Sequence, residues 1–346
     1  MAITWITPVA LTPSAQDAWT DMDVSANVPA GATGVILRVH SLVTTNDILA
    51  FRKNGSTDNR TGAANDLSGG GSTWAFVGVD ASRIFEYYTQ GTDNHRWDLV
   101  GYFDDDAVFL TNAIDKSVST TGSYVDIDIS GDTGADTAIG AIFAATTPSI
   151  AYFSIRKNGS TDDFTPFDLD NKYWPIIGVD ASEICEIKQE AIADFFLIGY
   201  ITKHATFLTN ATDVTPGSTL TWTDTTLPVG ATGGFLHFYG ADDNQYGARK
   251  NGTSLAWNEP LVDEVGVVAV EADASRIIEV YKGTASVAAY LIGYSEAGAS
   301  TTPVVNSTDL RWNTIETVES TLDARWNTVN SIIQAADLRW HLRNAV

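Results

Sequence analysis

Arg52-Lys53-Asn54-Gly55-Ser56-Thr57 returns as Arg156-Lys157-Asn158-Gly159-Ser160-Thr161 and, in shorter form, as Arg249-Lys250-Asn251-Gly252. The steps from 52 to 156 and from 156 to 249 are 104 and 93 residues, the period of a domain. Downstream of each copy lies a second shared segment: Val79-Asp80-Ala81-Ser82, Val179-Asp180-Ala181-Ser182 and Ala272-Asp273-Ala274-Ser275. Each unit closes on an apolar run ending in Gly101-Tyr102, Gly199-Tyr200 or Gly293-Tyr294. The chain is therefore read as three related domains in tandem, over residues 1–106, 107–205 and 206–299, followed by a different segment over 300–346.

Within the first unit, Trp19 to Val24 alternates polar and apolar residues, Gly34 to Val43 reads as a strand, and Ile48 to Arg52 as another. Asn54-Gly55 is the short-range signal of a two-residue hairpin, so a hairpin is expected there. Trp74 to Val79, Ile84 to Tyr88 and Trp97 to Phe103 complete the set. Six to eight short strands per roughly 100 residues predict an all-β fold, an antiparallel β-sandwich or jelly-roll-like repeat. Phe109-Leu110-Thr111-Asn112-Ala113 and Phe207-Leu208-Thr209-Asn210-Ala211 read as short boundary segments, so the domains should touch. Asp80, Asp180 and Asp273 are expected to cap their own turns.

The 346 residues carry a formal charge of −23, spread through the repeats, and 44% are apolar. That composition is globular and argues against a nucleic-acid partner, which needs a basic face. Cys185, the one cysteine, cannot form an intrachain disulfide and should pack as a small apolar residue. No apolar run is long enough to insert in a membrane, and Met1 to Trp5 has no signal-peptide pattern. His40, His95, His204, His237 and His341 do not fall at ligand spacings. Neither a phosphate-binding loop nor a nucleophile elbow occurs. Asp104-Asp105-Asp106 and Asp242-Asp243 lack the spacing of a calcium loop. No catalytic residue, cofactor or metal is expected, and the chain is read as non-enzymatic. Trp97, Tyr102, Tyr87, Tyr88, Tyr152, Trp174, Tyr239, Tyr246 and Trp257 are either core residues or sugar-stacking surfaces.

From about Thr308 the apolar period becomes three and a half. The stripe Trp312, Ile315, Glu319, Leu322, Trp326, Val329, Ile333, Ala336 and Trp340 predicts a coiled-coil-like helix for oligomerisation or docking. Bulky tryptophans fit a bundle of three or more helices, so a homotrimer is expected, with Glu319 facing an arginine of another chain.

The Arg-Lys-Asn-Gly-Ser-Thr and Gly-Val-Asp-Ala-Ser segments, with β-rich domains on a helical segment, resemble virion structural proteins of tailed bacteriophages. Fibres, appendages and capsid-decoration proteins are built this way. The resemblance implies a homo-oligomer on the virion, assembled in the host cytoplasm beside other virion proteins, with a structural task or binding to a host surface glycan or receptor. A carbohydrate-binding or adhesive array and an S-layer or filament-like assembly protein are the alternatives. An enzyme such as a glycan depolymerase would need two facing carboxylates roughly 5–10 Å apart.

Overall fold

The computed structural model describes residues 3–42, 48–59, 72–92, 94–146, 153–164, 174–189, 193–239, 245–254 and 266–298. Every regular element among them is a strand. The first repeat holds β1 (Ile3–Leu11), β2 (Thr20–Asp23), β3 (Gly34–Ser41), β4 (Leu49–Lys53), β5 (Ser72–Gly78), β6 (Ile84–Thr89) and β7 (His95–Phe103). The second holds β8 (Ala107–Asp115), β9 (Val125–Asp128), β10 (Gly140–Thr146), β11 (Phe153–Lys157), β12 (Ile176–Gly178), β13 (Ile184–Gln189) and β14 (Asp194–Ile201). The third holds β15 (Ala205–Asp213), β16 (Thr223–Thr226), β17 (Ala231–Tyr239), β18 (Tyr246–Lys250), β19 (Val267–Glu271), β20 (Ile277–Lys282) and β21 (Ala288–Glu296).

Each repeat builds a four-stranded and a three-stranded antiparallel sheet. The first pair runs β1-β7-β3-β5 and β2-β6-β4; the other repeats follow the same order. Successive strands alternate between the sheets, so each connection crosses the domain. Strand β6 alternates half-buried and buried residues, as a strand with one face inward must. Its Tyr87 meets Trp97 of β7 from the opposite sheet at 4.9 Å, edge to face, and Phe51 of β4 meets Trp97 at 5.2 Å. Trp97 is fully buried, and its loss to alanine would cost about 3–5 kcal/mol. The open edge strand β2 turns Asp21 and Asp23 to solvent, a charge pattern that discourages pairing with a stranger's edge.

The hairpin expectation needs correction. Lys53 to Ser56 is a turn closed by Ser56 N–H donating to the Lys53 carbonyl at 3.1 Å. Gly55 lies at φ 80°, which places the positive angle at the third turn position and not at Asn54. The strand that follows is β5 in the other sheet, and β4 pairs with β6. Asn-Gly fixes a sheet-to-sheet crossover here, a use of the same backbone angle that local sequence cannot distinguish from a hairpin. The aspartate caps, in contrast, form as expected. Asp80 Oδ1 accepts from the Ser82 and Ile84 amides at 2.8 and 2.9 Å, and Asp180 and Asp273 repeat the pattern. These bonds hold Arg83, Glu183 and Arg276 at φ 65°, 62° and 64°, a strained region for such side chains.

The boundary segments are not linkers but the opening strands β8 and β15, and they join the domains. Phe109 of β8 lies over Gly34 and Gly78 of the first domain so closely that a Cβ at either glycine would overlap it. Phe207 of β15 does the same to Gly140 and Gly178 of the second. Trp5 of β1 closes the set by lying over Gly233 of the third domain, where a Cβ would sit 2.7 Å from the indole. First meets second, second meets third, and third meets first. Residues 1–298 thus form one compact unit in which each of the three sandwiches contacts the other two. Strand β5 touches both β14 and β19.

The helix expected over 300–346, with Trp312, Ile315, Glu319, Leu322, Trp326, Val329, Ile333, Ala336 and Trp340, lies outside the described residues.

Candidate functional site

The repeated hexapeptide is a latch, and its side chains reach several different partners. Arg52 donates through Nε to Glu86 Oε2 at 2.9 Å and through Nη2 to Glu86 Oε1 at 3.0 Å, a two-pronged pairing across β4 and β6. Its Nη1 reaches the Asp58 carbonyl. Over the guanidinium lies the half-buried Trp19 ring, 4.0 Å from Cζ to centroid. Arg156 pairs with Glu186 under Tyr124 at 3.6 Å, and Arg249 with Glu279 under Trp222 at 4.2 Å. The roofed arginine is only 12% exposed in the first domain, although it lies on the sheet's outer face. A partly desolvated guanidinium against an aromatic face gains about 1–2 kcal/mol.

Asn54 ties the hexapeptide to the capped turn by donating to Asp80 Oδ2 at 2.8 Å; Asn158 and Asn251 bond Asp180 and Asp273 alike. For Asp180, burial raises the carboxyl but the Ile184 amide, Asn158 and Ser182 outweigh it and hold it below its ordinary value. The Ile277 amide leads the same lowering at Asp273.

The remaining residues reach into the next domain. Lys53 Nζ donates to the Phe109 carbonyl at 2.8 Å, and burial pulls its ammonium below its ordinary range. Asn112 Oδ1 accepts from Thr57 N at 2.8 Å and from Ser56 Oγ at 3.1 Å. Asp58 Oδ2 accepts from Ala113 N at 2.8 Å. Between the second and third domains Lys157, Asn210 and Asp162 make the matching bonds at 3.1, 2.8 and 2.7 Å. Asn112 and Asn210 stand in irregularities of four residues, between Phe109 and Ile114 and between Phe207 and Thr212.

The third junction differs. The irregularity in β1 lies between Trp5 and Val9, one residue shorter, and contains no asparagine. Glu271 occupies the place of Gly78 and Gly178, and Lys250 donates to it at 2.6 Å. Ala248 stands where Phe51 stands in the first domain. A cavity of about 90 Å³ lies beside Ala248 at this seam, against about 20 Å³ at the first junction and about 350 Å³ at the second. Trp5, Arg38, Trp74, Ala248, Lys250 and Glu271 are in the wall of the seam cavity.

The other sequence candidates disperse. Trp97, Tyr87, Trp174 and Tyr246 are buried, whereas Tyr88, Tyr102 and Tyr239 are half-buried; Tyr152 and Trp257 lie outside the described residues. Trp174 packs across the first junction onto Phe51, with centroids 5.7 Å apart. His95 and His237 are buried, and His341 is outside the described residues. Asp242 and Asp243 are outside them too. Asp104 accepts from Thr4 Oγ1 at 3.2 Å. Cys185 is fully buried, which pushes its thiol far above the ordinary range. Among the described residues no three His, Cys, Asp or Glu side chains are grouped to hold a metal.

Sequence reasoning did not single out Trp19, Tyr124 and Trp222 as surface aromatics, nor Asn112 and Asn210 as interdomain clamps. Their repetition at matching places was the available signal. Comparison with known proteins finds neither a family model nor a curated sequence that matches this chain.

Proposed function

We propose that the chain is a non-enzymatic structural protein of a virus particle, a tail fibre, appendage or capsid decoration, displaying jelly-roll-like domains on an oligomeric helical base. The observation that carries this reading is the fate of the repeated motif. In the first two copies its lysine, serine, threonine and aspartate are taken up by contacts between domains, as expected of a part whose task is to be rigid. The heptad stripe from Trp312 to Trp340 would supply self-association, with a homotrimer as the expected state.

Light scattering on the full chain beside a chain ending at Ser300 tests this. A trimer that falls to a monomer on truncation supports it. Two monomers would remove the oligomeric base and leave the segment as a docking tail for another virion protein.

A second reading is adhesion to a host surface glycan. Three half-buried aromatics, Trp19, Tyr124 and Trp222, each backed by an arginine-glutamate pair, favour it. Individually weak sites presented together gain avidity. Screening against surface glycans, with Trp19→Ala and Trp222→Ala as controls, separates the readings: saturable binding lost in the variants supports adhesion.

A further inference from the structure

We propose that the cleft between the third and first domains is a binding site for a small aliphatic carboxylate, received by Trp5, Arg38 and Trp74. This inference stands apart from the virion reading and holds whatever particle or surface the protein serves.

Unmet donors point to the site. Among the described residues, the buried indole nitrogens of Trp5, Trp74 and Trp97 have no hydrogen-bond acceptor. Trp97 belongs to the core of the first sandwich, but Trp5 and Trp74 both stand in the wall of the cleft. An indole N–H can only donate, and a buried donor without an acceptor gives up its hydration with nothing in return. Arg38 lies beside them, 6% exposed, with its guanidinium 5.6 Å from the centroid of the Trp74 ring; it too can only donate. The third domain adds Lys250, another donor, and Glu271, the one carboxylate in the wall, to which Lys250 donates at 2.6 Å. Arg249 is paired with Glu279. The cleft is thus rich in donors and short of acceptors. An occupant that completes it brings acceptor oxygens.

Size and polarity narrow the class. The cleft measures about 90 Å³ against roughly 10–15 Å³ for a single water, which leaves room for a molecule of a few heavy atoms. Ile6, Val100, Ala248 and Ala269 make the rest of the wall apolar. A carboxylate with a short alkyl tail therefore matches better than a bare inorganic anion. The cleft is half open to solvent, so entry needs no parting of the domains. The cavity at the second junction is larger, about 350 Å³, but lacks this imbalance. There Lys157 donates to the Phe207 carbonyl, and Asp180 accepts from Asn158, Ser182 and Ile184. An occupant of the third junction touches both domains and bridges them, as Asn112 and Asn210 do at the other two.

Fluorine NMR of the full chain labelled with fluorotryptophan tests the proposal. Trp5→Phe and Trp74→Phe assign the two resonances, either of which suffices. Sodium acetate is titrated at constant ionic strength against sodium chloride, with inorganic phosphate as a third arm. The Trp5 and Trp74 signals should shift saturably with acetate, half-saturating on the order of 1 mM, while that of Trp97 holds still. Ala248→Phe supplies the ring that Phe51 provides in the first domain; by filling the cleft it should abolish the shift. Ala248→Val, a smaller fill, should weaken binding and decides the matter if the larger ring disturbs folding. A linear drift alike in acetate and chloride would mean that water fills the cleft, and it overturns the proposal. So does a saturable response to phosphate alone, or one to acetate that survives in a folded Ala248→Phe protein, because the ligand would then lie elsewhere.

Discussion

Asp106 and His204 hold equivalent places in successive repeats, each preceding the alanine that opens the next domain, and their side chains touch. Thr202 Oγ1 also donates to the Asp106 carbonyl at 3.0 Å, so the ends of the first and second repeats are bonded directly to each other. Lys203 adds an ammonium group, 3.0 Å from the other Asp106 oxygen, and the carboxylate is 2% exposed.

This cluster should make the unit acid-sensitive. Burial raises the Asp106 carboxyl, but the bonds from His204 and Lys203 prevail and leave it below its ordinary value. The folded carboxyl therefore binds a proton less readily than the unfolded one. Its contribution is complete above about pH 4 and is lost as pH falls through the folded value. Asp106→Asn should lower stability at pH 7 by about 1–3 kcal/mol and flatten the melting curve's response to acid below about pH 4.

His237 adds an earlier acid response. It is 1% exposed against Phe164, and burial alone takes its imidazole from 6.5 down to about 3. The folded ring stays neutral while the unfolded ring takes up a proton, so stability should fall as pH drops from 6.5 toward 3. A proton titration of the ring by NMR that finds a midpoint near 6.5 in the folded protein would remove this effect.

The interdomain clamps should behave as a matched pair. Asn112→Ala and Asn210→Ala each leave a Thr amide and a Ser hydroxyl without their acceptor. Each should cost about 1–3 kcal/mol. Hydrogen exchange at the Thr57 amide should quicken in the first variant only, and at Thr161 in the second only.

Glycines under the docking rings should not tolerate a methyl group. Gly140→Ala collides with Phe207 and should destabilise by about 1–3 kcal/mol, whereas Gly217→Ala has nothing within 4 Å and should stay within about 0.5 kcal/mol. Denaturant midpoints of the two variants provide the comparison.

The single thiol is a sentinel for the second domain. Cys185 should resist a maleimide in native protein at pH 8 and react once denaturant opens the sheet, because burial suppresses the thiolate. Rapid native labelling would contradict its fully buried position.

Repetition and short-range chemistry were the legible parts of this chain. The triple motif revealed the period, and the Asp80 turn was readable because its partners, Ser82 and Ile84, lie within four residues. Asn54-Gly55 was misread as a hairpin because a turn's angles do not say which sheet receives the next strand. The latch was hidden for a related reason: Lys53 and Phe109 are 56 residues apart in sequence. Trp5 concealed its kinship with Phe109 and Phe207 behind a different ring and a strand irregularity one residue shorter.

A cycle of three identical junctions would have no distinguishable starting point. Glu271, with Lys250 drawn to it, marks one side of this one. The three repeats thereby keep one sheet plan and still carry one marked junction.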